Sequence, residues 1–335
     1  MICSCFLSLC SAQRWLLSWL LAGCAVVTML PSASLAATAS PRELLDAGRA
    51  DDALRLLTPQ ATGNNAVAYN YLGRVYYSLH DWDNAVRNCE RAAQLAPNNA
   101  EFQLWLGRSY GEKADSASAL TAYSLARKSV AAFEAAHSLD RRNLAIASDL
   151  AEYYATAPSI VGGGSTRALA LASEIAPEFP STAAWIRAMV ASNSGQKDEA
   201  EREYAEFIRL DHNSAASYLE FTRYLRGRKD WERFDQAIAS ALRSPHIRPV
   251  DRFDVAEKLL KTERNLPEAV RQMRAYIQSN HTEEEAPLFR AHYLLGDILL
   301  KTGDTAQAVA EYRAALALAS SYRPAADALR HLGQR

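Results

Sequence analysis

A pattern of spaced residues occurs near both ends of the chain, at residues 69–99 and at residues 292–321. Each copy has a Leu-Gly pair, an apolar or aromatic residue three positions after the glycine, and alanine nine positions further on. Small or aromatic residues follow four and seven positions after that alanine. Ala and Leu dominate the apolar residues, which favours helices over strands. One such unit cannot bury its own apolar face, so several must stack into a solenoid.

This pattern resembles the tetratricopeptide repeat (TPR), a helix–turn–helix unit of about 34 residues. The resemblance implies an all-α, right-handed TPR-type solenoid in which small residues let the two helices of a unit approach closely. The Ile-Val-Gly-Gly-Gly stretch at 160–164 resembles an insertion in one repeat of exported bacterial TPR proteins. The repeat-defining residues are Leu72, Gly73, Tyr76, Ala85, Ala92, Pro97, Leu106, Gly107, Tyr110, Leu295, Gly296, Ala308, Tyr312 and Ala315.

The first 36 residues have the composition of a targeting segment. Arg14 is their one charged residue, and an apolar run at 15–30 follows it. Ser34 and Ala36 fit the −3 and −1 positions of a signal-peptidase site, so the mature chain is expected to begin just after Ala36. Lipidation at Cys24 and an uncleaved anchor, whose length approaches the ~20 residues that span a bilayer, are the alternatives. All three place the protein outside the cytoplasm, and we expect export to a bacterial periplasm.

Two units depart from the repeat period. Residues 116–139 contain no helix breaker and are about ten residues too long, so the second helix there is expected to be lengthened by about two to three turns. The other departure is the stretch around Gly162–Gly164, where Pro158 is expected to end a first helix. The predicted segments are a signal peptide at 1–36 with a lipobox-like Leu-Ala-Gly-Cys at 21–24, a linker and partial repeat at 37–65, about seven TPR-like repeats at 66–322, and a capping helix at 323–335.

Charge balance and cysteine content restrict the class of protein. There are 37 Lys and Arg against 38 Asp and Glu, which gives no support for nucleic-acid binding because such domains are usually basic. After cleavage of the signal, Cys89 is the one cysteine left, so the mature chain cannot form an intrachain disulfide. Cys89 holds a core position in its repeat and is expected to be a small buried hydrophobe.

The glycine run is the one stretch that resembles a phosphate-binding loop. It lacks the lysine of a P-loop and has no preceding strand, and Arg167 stands where a dinucleotide-binding motif needs a third glycine. We therefore expect an enlarged turn, with Ser165 or Thr166 capping the next helix. A helix N-terminus that holds an anion is the alternative.

Signatures of metal sites and hydrolases do not occur in the sequence. The seven His residues are scattered without a His-x3-His pair, and there is no Cys-x-x-Cys or Gly-x-Ser-x-Gly. Residues 280–287 cluster His281 with three glutamates, and we expect a solvated loop there. No catalytic residue, metal, cofactor or small-molecule substrate is therefore expected.

The resemblance also implies which residues face the concave surface. In TPR superhelices the first helices line this surface, and the fifth, ninth and twelfth residues of each unit point into it. Here an apolar centre with basic flanks suits an extended or helical peptide that carries acidic groups. The predicted groove residues are Asn70, Arg74, Tyr77, Leu104, Arg108, Trp185, Met189, Leu219, Arg223, Arg226, Lys258 and Lys261.

The expected function is that of a non-catalytic scaffold outside the cytoplasm, which binds a protein or peptide in its concave groove. Two alternatives remain. One is a structural or assembly subunit of an envelope or secretion complex, tethered through Cys24. The other is an enzyme or anion-binding receptor that uses the Gly162–Gly164 turn. Membrane contact is expected only if Cys24 is lipidated or the signal is retained.

Overall fold

The computed structural model describes residues 39–279 and 283–333, so the predicted signal peptide and lipobox lie outside the described residues. Within these ranges every regular element is helical, and no helix is long and apolar enough to cross a membrane. The helices are α1 Pro41–Asp46, α2 Ala50–Leu57, α3 Ala66–Ser78, α4 Trp82–Leu95, α5 Ala100–Asp115, α6 Ala119–Leu139, α7 Leu144–Thr156, α8 Ser165–Ile175, α9 Pro180–Asn193, α10 Lys197–Leu210, α11 Ala215–Gly227, α12 Trp231–Arg243, α13 Pro249–Thr262, α14 Leu266–Gln278, α15 Leu288–Lys301, α16 Thr305–Leu318 and α17 Arg323–Gly333.

Helices α3 to α16 form consecutive helix–turn–helix units, in which each first helix packs on the helix that follows it. The first helices of neighbouring units also contact one another, as α7 does with α9 and α11 with α13. Helices α1 and α2 lie in the segment predicted as a partial repeat, and α17 lies in the predicted capping helix. The segment boundaries themselves stay predictions.

Glycine at the pattern position lets the two helices of a unit touch. A Cβ atom built on Gly296 would lie 2.6 Å from the ring of Tyr312, and Gly73 faces Cys89 in the same way. The predicted close approach is therefore confirmed in these units. Burial raises the pKa of the Cys89 thiol to about 12, so this residue is the small buried hydrophobe that its position predicted.

Both departures from the repeat are visible in the helices. Helix α6 has 21 residues, whereas the second helices α4 and α10 have 14 each, so α6 is longer by about two turns. Helix α7 ends before Pro158, and a single turn of 3₁₀ helix, Ser159–Val161, leads into the glycines. Gly162 and Gly164 have φ values of +98° and +128°, which glycine adopts without strain.

The superhelix closes on itself, because its first and last parts are in contact. The carboxylate of Asp51 accepts hydrogen bonds of 3.0 and 3.1 Å from the backbone N–H of Ser320. Gly48, with φ at +61°, lies so close to the backbone of Leu288 that a side chain would collide with it. The inner face of the solenoid therefore surrounds a restricted space, which the repeat pattern alone did not predict.

Candidate functional site

The first helices line the inner face, where four cavities share residues with one another. Tyr77 and Arg108 line the first and second cavities, Thr156 lines the second and third, and Arg223 lines the third and fourth. A continuous groove therefore runs from α3 to α13. Whether the predicted residues bind a partner there stays a prediction.

Arg74, predicted to face the groove, is buried in an ion pair instead. Its side chain is 2% exposed, and Nε donates a 2.8 Å hydrogen bond to Glu284, which a second guanidinium nitrogen also contacts. Nη1 donates to Glu101 at 2.6 Å, and the guanidinium lies 4.8 Å from the centre of the Trp105 ring. Each of its three guanidinium nitrogens donates to a carboxylate, so the charge of Arg74 is compensated within the protein.

This ion pair corrects two predictions. Asn70 is buried rather than exposed to the groove. Arg74 does line the first cavity of the groove, but it is buried there because Glu284 of the segment before α15 pairs with it. In the loop predicted at 280–287, the described residues 283–287 are not fully solvated, because Glu284 is buried against Arg74. His281 lies outside the described residues.

A second cation at this end of the groove, Arg108, is also compensated. Arg108 forms an ion pair of 2.5 Å with Asp149, and its guanidinium lies 4.6 Å from the centre of the Trp105 ring. The Tyr77 hydroxyl donates a 3.3 Å hydrogen bond to Glu112. Tyr77 and Arg108 thus face the groove as predicted, but without an unpaired positive charge.

The predicted apolar centre of the groove is mostly wrong. Leu104, Trp185 and Leu219 are buried in the protein core, because the first helices of neighbouring units pack against each other and cover these positions. Met189 is nearly buried as well, although it lines a cavity of the inner face together with Ser192.

The structure does bring the second predicted basic group together. Arg223 and Arg226 of α11 and Lys258 and Lys261 of α13 line one cavity of about 340 Å³. Thr222 and Phe234 complete its wall. We call this space the basic cavity.

Two of its four cations are compensated and two are not. Arg223 pairs with Glu152 at 2.5 Å, and Lys261 pairs with Glu257 at 3.1 Å. Arg226 and Lys258 have no ion pair within 4.0 Å among the residues described. An anion entering the basic cavity would therefore meet two cations that have no ion pair within 4.0 Å in the described chain, although Lys258 interacts at longer range with Asp254 and Glu257.

The predicted groove residues do not include the acidic residues of the inner face. Glu152 and Asp254 occupy the ninth and fifth positions of their units, so the repeat register could have found them. Burial raises the pKa of Asp254 to about 6, with Lys258 opposing the rise. Glu112 and Asp149 lie outside those positions, and no local signal marks them.

The glycine turn uses its polar groups internally. The N–H of Gly163 donates to Pro158 at 3.2 Å, and that of Gly164 donates to Tyr154 at 2.8 Å. Arg167 donates a 2.6 Å hydrogen bond to the Gly162 carbonyl and pairs with Glu134. Arg167 and the N–H groups of Gly163 and Gly164 are therefore hydrogen-bonded to other groups of the protein, which favours the enlarged turn over an anion site.

The predicted cap of α8 is wrong. Gly164 is the N-cap residue, and Ser165 and Thr166 already lie in the first turn of the helix. With φ at +128°, the glycine directs the chain into the helix through a conformation that serine and threonine avoid.

In residues 39–279 and 283–333, no group of three or more His, Cys, Asp or Glu could hold a metal ion.

Family models of the tetratricopeptide repeat match residues 66–99, 258–323 and 293–334. The chain contains tetratricopeptide repeats. The matched TPR residues include α3 and α4, the last five residues of α13, and α14 to α17, with the pattern residues Gly73 and Gly296 among them. A search of curated protein sequences found no match.

The chain is similar to several solved structures, two of which are described as TPR proteins. Yeast Tom70 is 14% identical, with a TM-score of 0.49 over 85% of this chain and 59% of its own. A TPR protein from Parabacteroides merdae is 13% identical, with a TM-score of 0.38 over 78% of this chain and 99% of its own. The C-terminal part of a TPR protein from Cytophaga hutchinsonii is 15% identical, with a TM-score of 0.41 over 85% and 96%.

Proposed function

We propose that this chain is a non-catalytic, exported scaffold that binds an acidic segment of another protein at the basic cavity. TPR repeats suggest protein–protein interaction, since a solenoid presents a long surface to its partner. The observation that carries the proposal is the pair Arg226 and Lys258, two cations without ion pairs in the described chain that line one cavity. Carboxylates of a partner would form charge-assisted hydrogen bonds with them.

Binding of a labelled peptide of alternating Asp and Gly, followed by fluorescence anisotropy, tests this proposal. Arg226→Glu with Lys258→Glu should weaken binding by more than about tenfold, because attraction becomes repulsion. A matched control reverses Lys197 and Arg313, which are exposed and have no ion pair in the part of the chain described. Equal loss in both variants, or no loss in the first, would contradict a specific site.

Export rests on the N-terminal sequence and has its own test. Mass spectrometry of protein recovered from an exporting bacterium should show a chain that begins just after Ala36. A diacylated Cys24 would favour the tethered subunit of an envelope complex, for which the Leu-Ala-Gly-Cys sequence is the supporting observation. A chain that keeps Met1 and stays in the cytoplasm would refute export.

A further inference from the structure

The two departures from the repeat meet in space. The Tyr153 hydroxyl donates a 2.7 Å hydrogen bond to the Ala126 carbonyl of the lengthened helix α6 and lies 2.9 Å from the Val161 carbonyl of the glycine turn. Val130 of α6 packs on the same turn, because a Cβ built on Gly162 would lie 3.0 Å from its Cγ1 atom. The longer helix and the longer turn therefore support each other.

Together they wall a cavity of about 440 Å³ on the inner face, which we call the insertion cavity. Helix α6 contributes Ala126 and Phe133, and the turn contributes Pro158 and Val161. Neither the extra turns of α6 nor the glycine insertion exists in a standard repeat, so a standard repeat would not form this space. These apolar side chains form one part of its wall.

Carboxylates form another part of the wall: Glu112, Asp115, Asp149 and Glu152. Arg108 is the one basic residue that lines the cavity, and it pairs with Asp149, while Glu152 pairs with Arg223. Glu112 and Asp115 have no ion pair within 4.0 Å among the described residues. Burial raises the pKa of Glu112, and the charge of Asp115 raises it further. A cation near these two groups would relieve that unfavourable arrangement.

We infer that the insertion cavity binds a segment of another protein in which a lysine or arginine lies beside an apolar side chain. Charge complementarity assigns the cation to Glu112 and Asp115, and the apolar wall takes the neighbouring side chain. A protein segment fits better than a free cation, because the cavity opens at Thr156 into the groove that continues to the basic cavity. The inference rests on the proposed function only in that both place a protein segment in this groove.

The test uses exported full-length protein and a fluorescent peptide with a Leu-Lys-Leu-Arg core. Glu112→Gln with Asp115→Asn should weaken binding by about tenfold, as expected when hydrogen bonds to a charged group are lost. The matched control, Asp198→Asn with Glu232→Gln on α10 and α12, removes the same charge from exposed positions and should bind normally.

A second variant tests the cavity by its volume. A Cβ built on Gly111 meets only the Ser129 hydroxyl, at 3.5 Å, so Gly111→Leu can fill the cavity without a backbone clash. Gly111→Leu should abolish peptide binding while its thermal midpoint stays at or above that of the parent.

Three results would overturn the inference. They are unchanged binding by the Glu112 and Asp115 variant, unchanged binding by Gly111→Leu, and equal affinity for a Gly-Lys-Gly-Arg peptide that lacks apolar side chains. The acidic peptide is measured on the same variants. Acidic-peptide binding that persists in the Arg226→Glu and Lys258→Glu variant refutes only the proposed function, whereas basic-peptide binding that persists in the Glu112→Gln and Asp115→Asn variant refutes only this inference.

Discussion

Removing the ion pair between Arg74 and Glu284 should destabilise and open the superhelix. The two side chains are 2% and 5% exposed, and they join residues 210 positions apart in the chain. Arg74→Met leaves the Glu284 carboxylate buried without its cation, and breaking a buried pair from one side costs about 3–5 kcal/mol. The contact with Glu101, whose side chain is 53% exposed, adds at most about 1 kcal/mol.

Urea unfolding followed by circular dichroism measures this loss, and small-angle scattering measures the opening. Arg74→Met combined with Glu284→Gln should recover most of the stability, because no uncompensated charge remains buried. The control is Arg141→Met, whose ion pair with Glu174 has side chains 70% and 43% exposed and should contribute less than about 1 kcal/mol. Of these two single variants, only Arg74→Met should have a larger radius of gyration, because its ion pair, unlike that of Arg141, joins the first and last parts of the superhelix.

A loss for Arg74→Met no greater than that of the Arg141 control would refute the argument that this pair is buried and closes the structure. An unchanged radius of gyration together with the expected loss of stability would refute the argument that this pair closes the structure. In that case the pair would stabilise the unit around α3 without holding the ends together.

Further predictions concern one titrating residue and two glycines. Burial raises the pKa of Asp254 from 3.8 to about 6, so the folded chain holds a proton that the unfolded chain has released, and stability falls as pH rises through that window. Asp254→Asn should remove a loss of up to about 3 kcal/mol between about pH 4 and pH 7, which urea midpoints at both pH values would show; equal pH dependence in both proteins would contradict it. Gly296→Ala should cost about 1–3 kcal/mol, because its Cβ would lie 2.6 Å from the fully buried Tyr312 ring. Gly111→Ala should instead stabilise by about 0.5–1 kcal/mol, since its Cβ meets Ser129 at an ordinary 3.5 Å; the same sign in both glycine variants would show that helix propensity alone decides.

Local spacing was enough to predict the helices and the packing inside each unit. Gly73 against Cys89 and Gly296 against Tyr312 are contacts between residues 16 positions apart, so the repeat register determines them. The lengthened α6 followed from the absence of a breaker. Closure could not be predicted in this way, because Arg74 and Glu284 are 210 positions apart in the chain. Whether they meet depends on small rotations added over all the units between them.

The same limit explains why the predicted groove was too basic. The repeat register selects positions on the first helices, so it finds each cation without the carboxylate that a neighbouring unit places beside it. Arg223 of α11 is an example, because Glu152 of α7 pairs with it. Ion pairs within the protein compensate most of the charged side chains that line the groove. The charged side chains without an ion pair decide which charges of a partner the groove attracts. Among the described residues, Arg226 and Lys258 line the basic cavity without an ion pair, and Glu112 and Asp115 line the insertion cavity without one. A partner that used the whole groove would therefore need opposite charges at its two ends, and this polarity would fix the direction in which it lies.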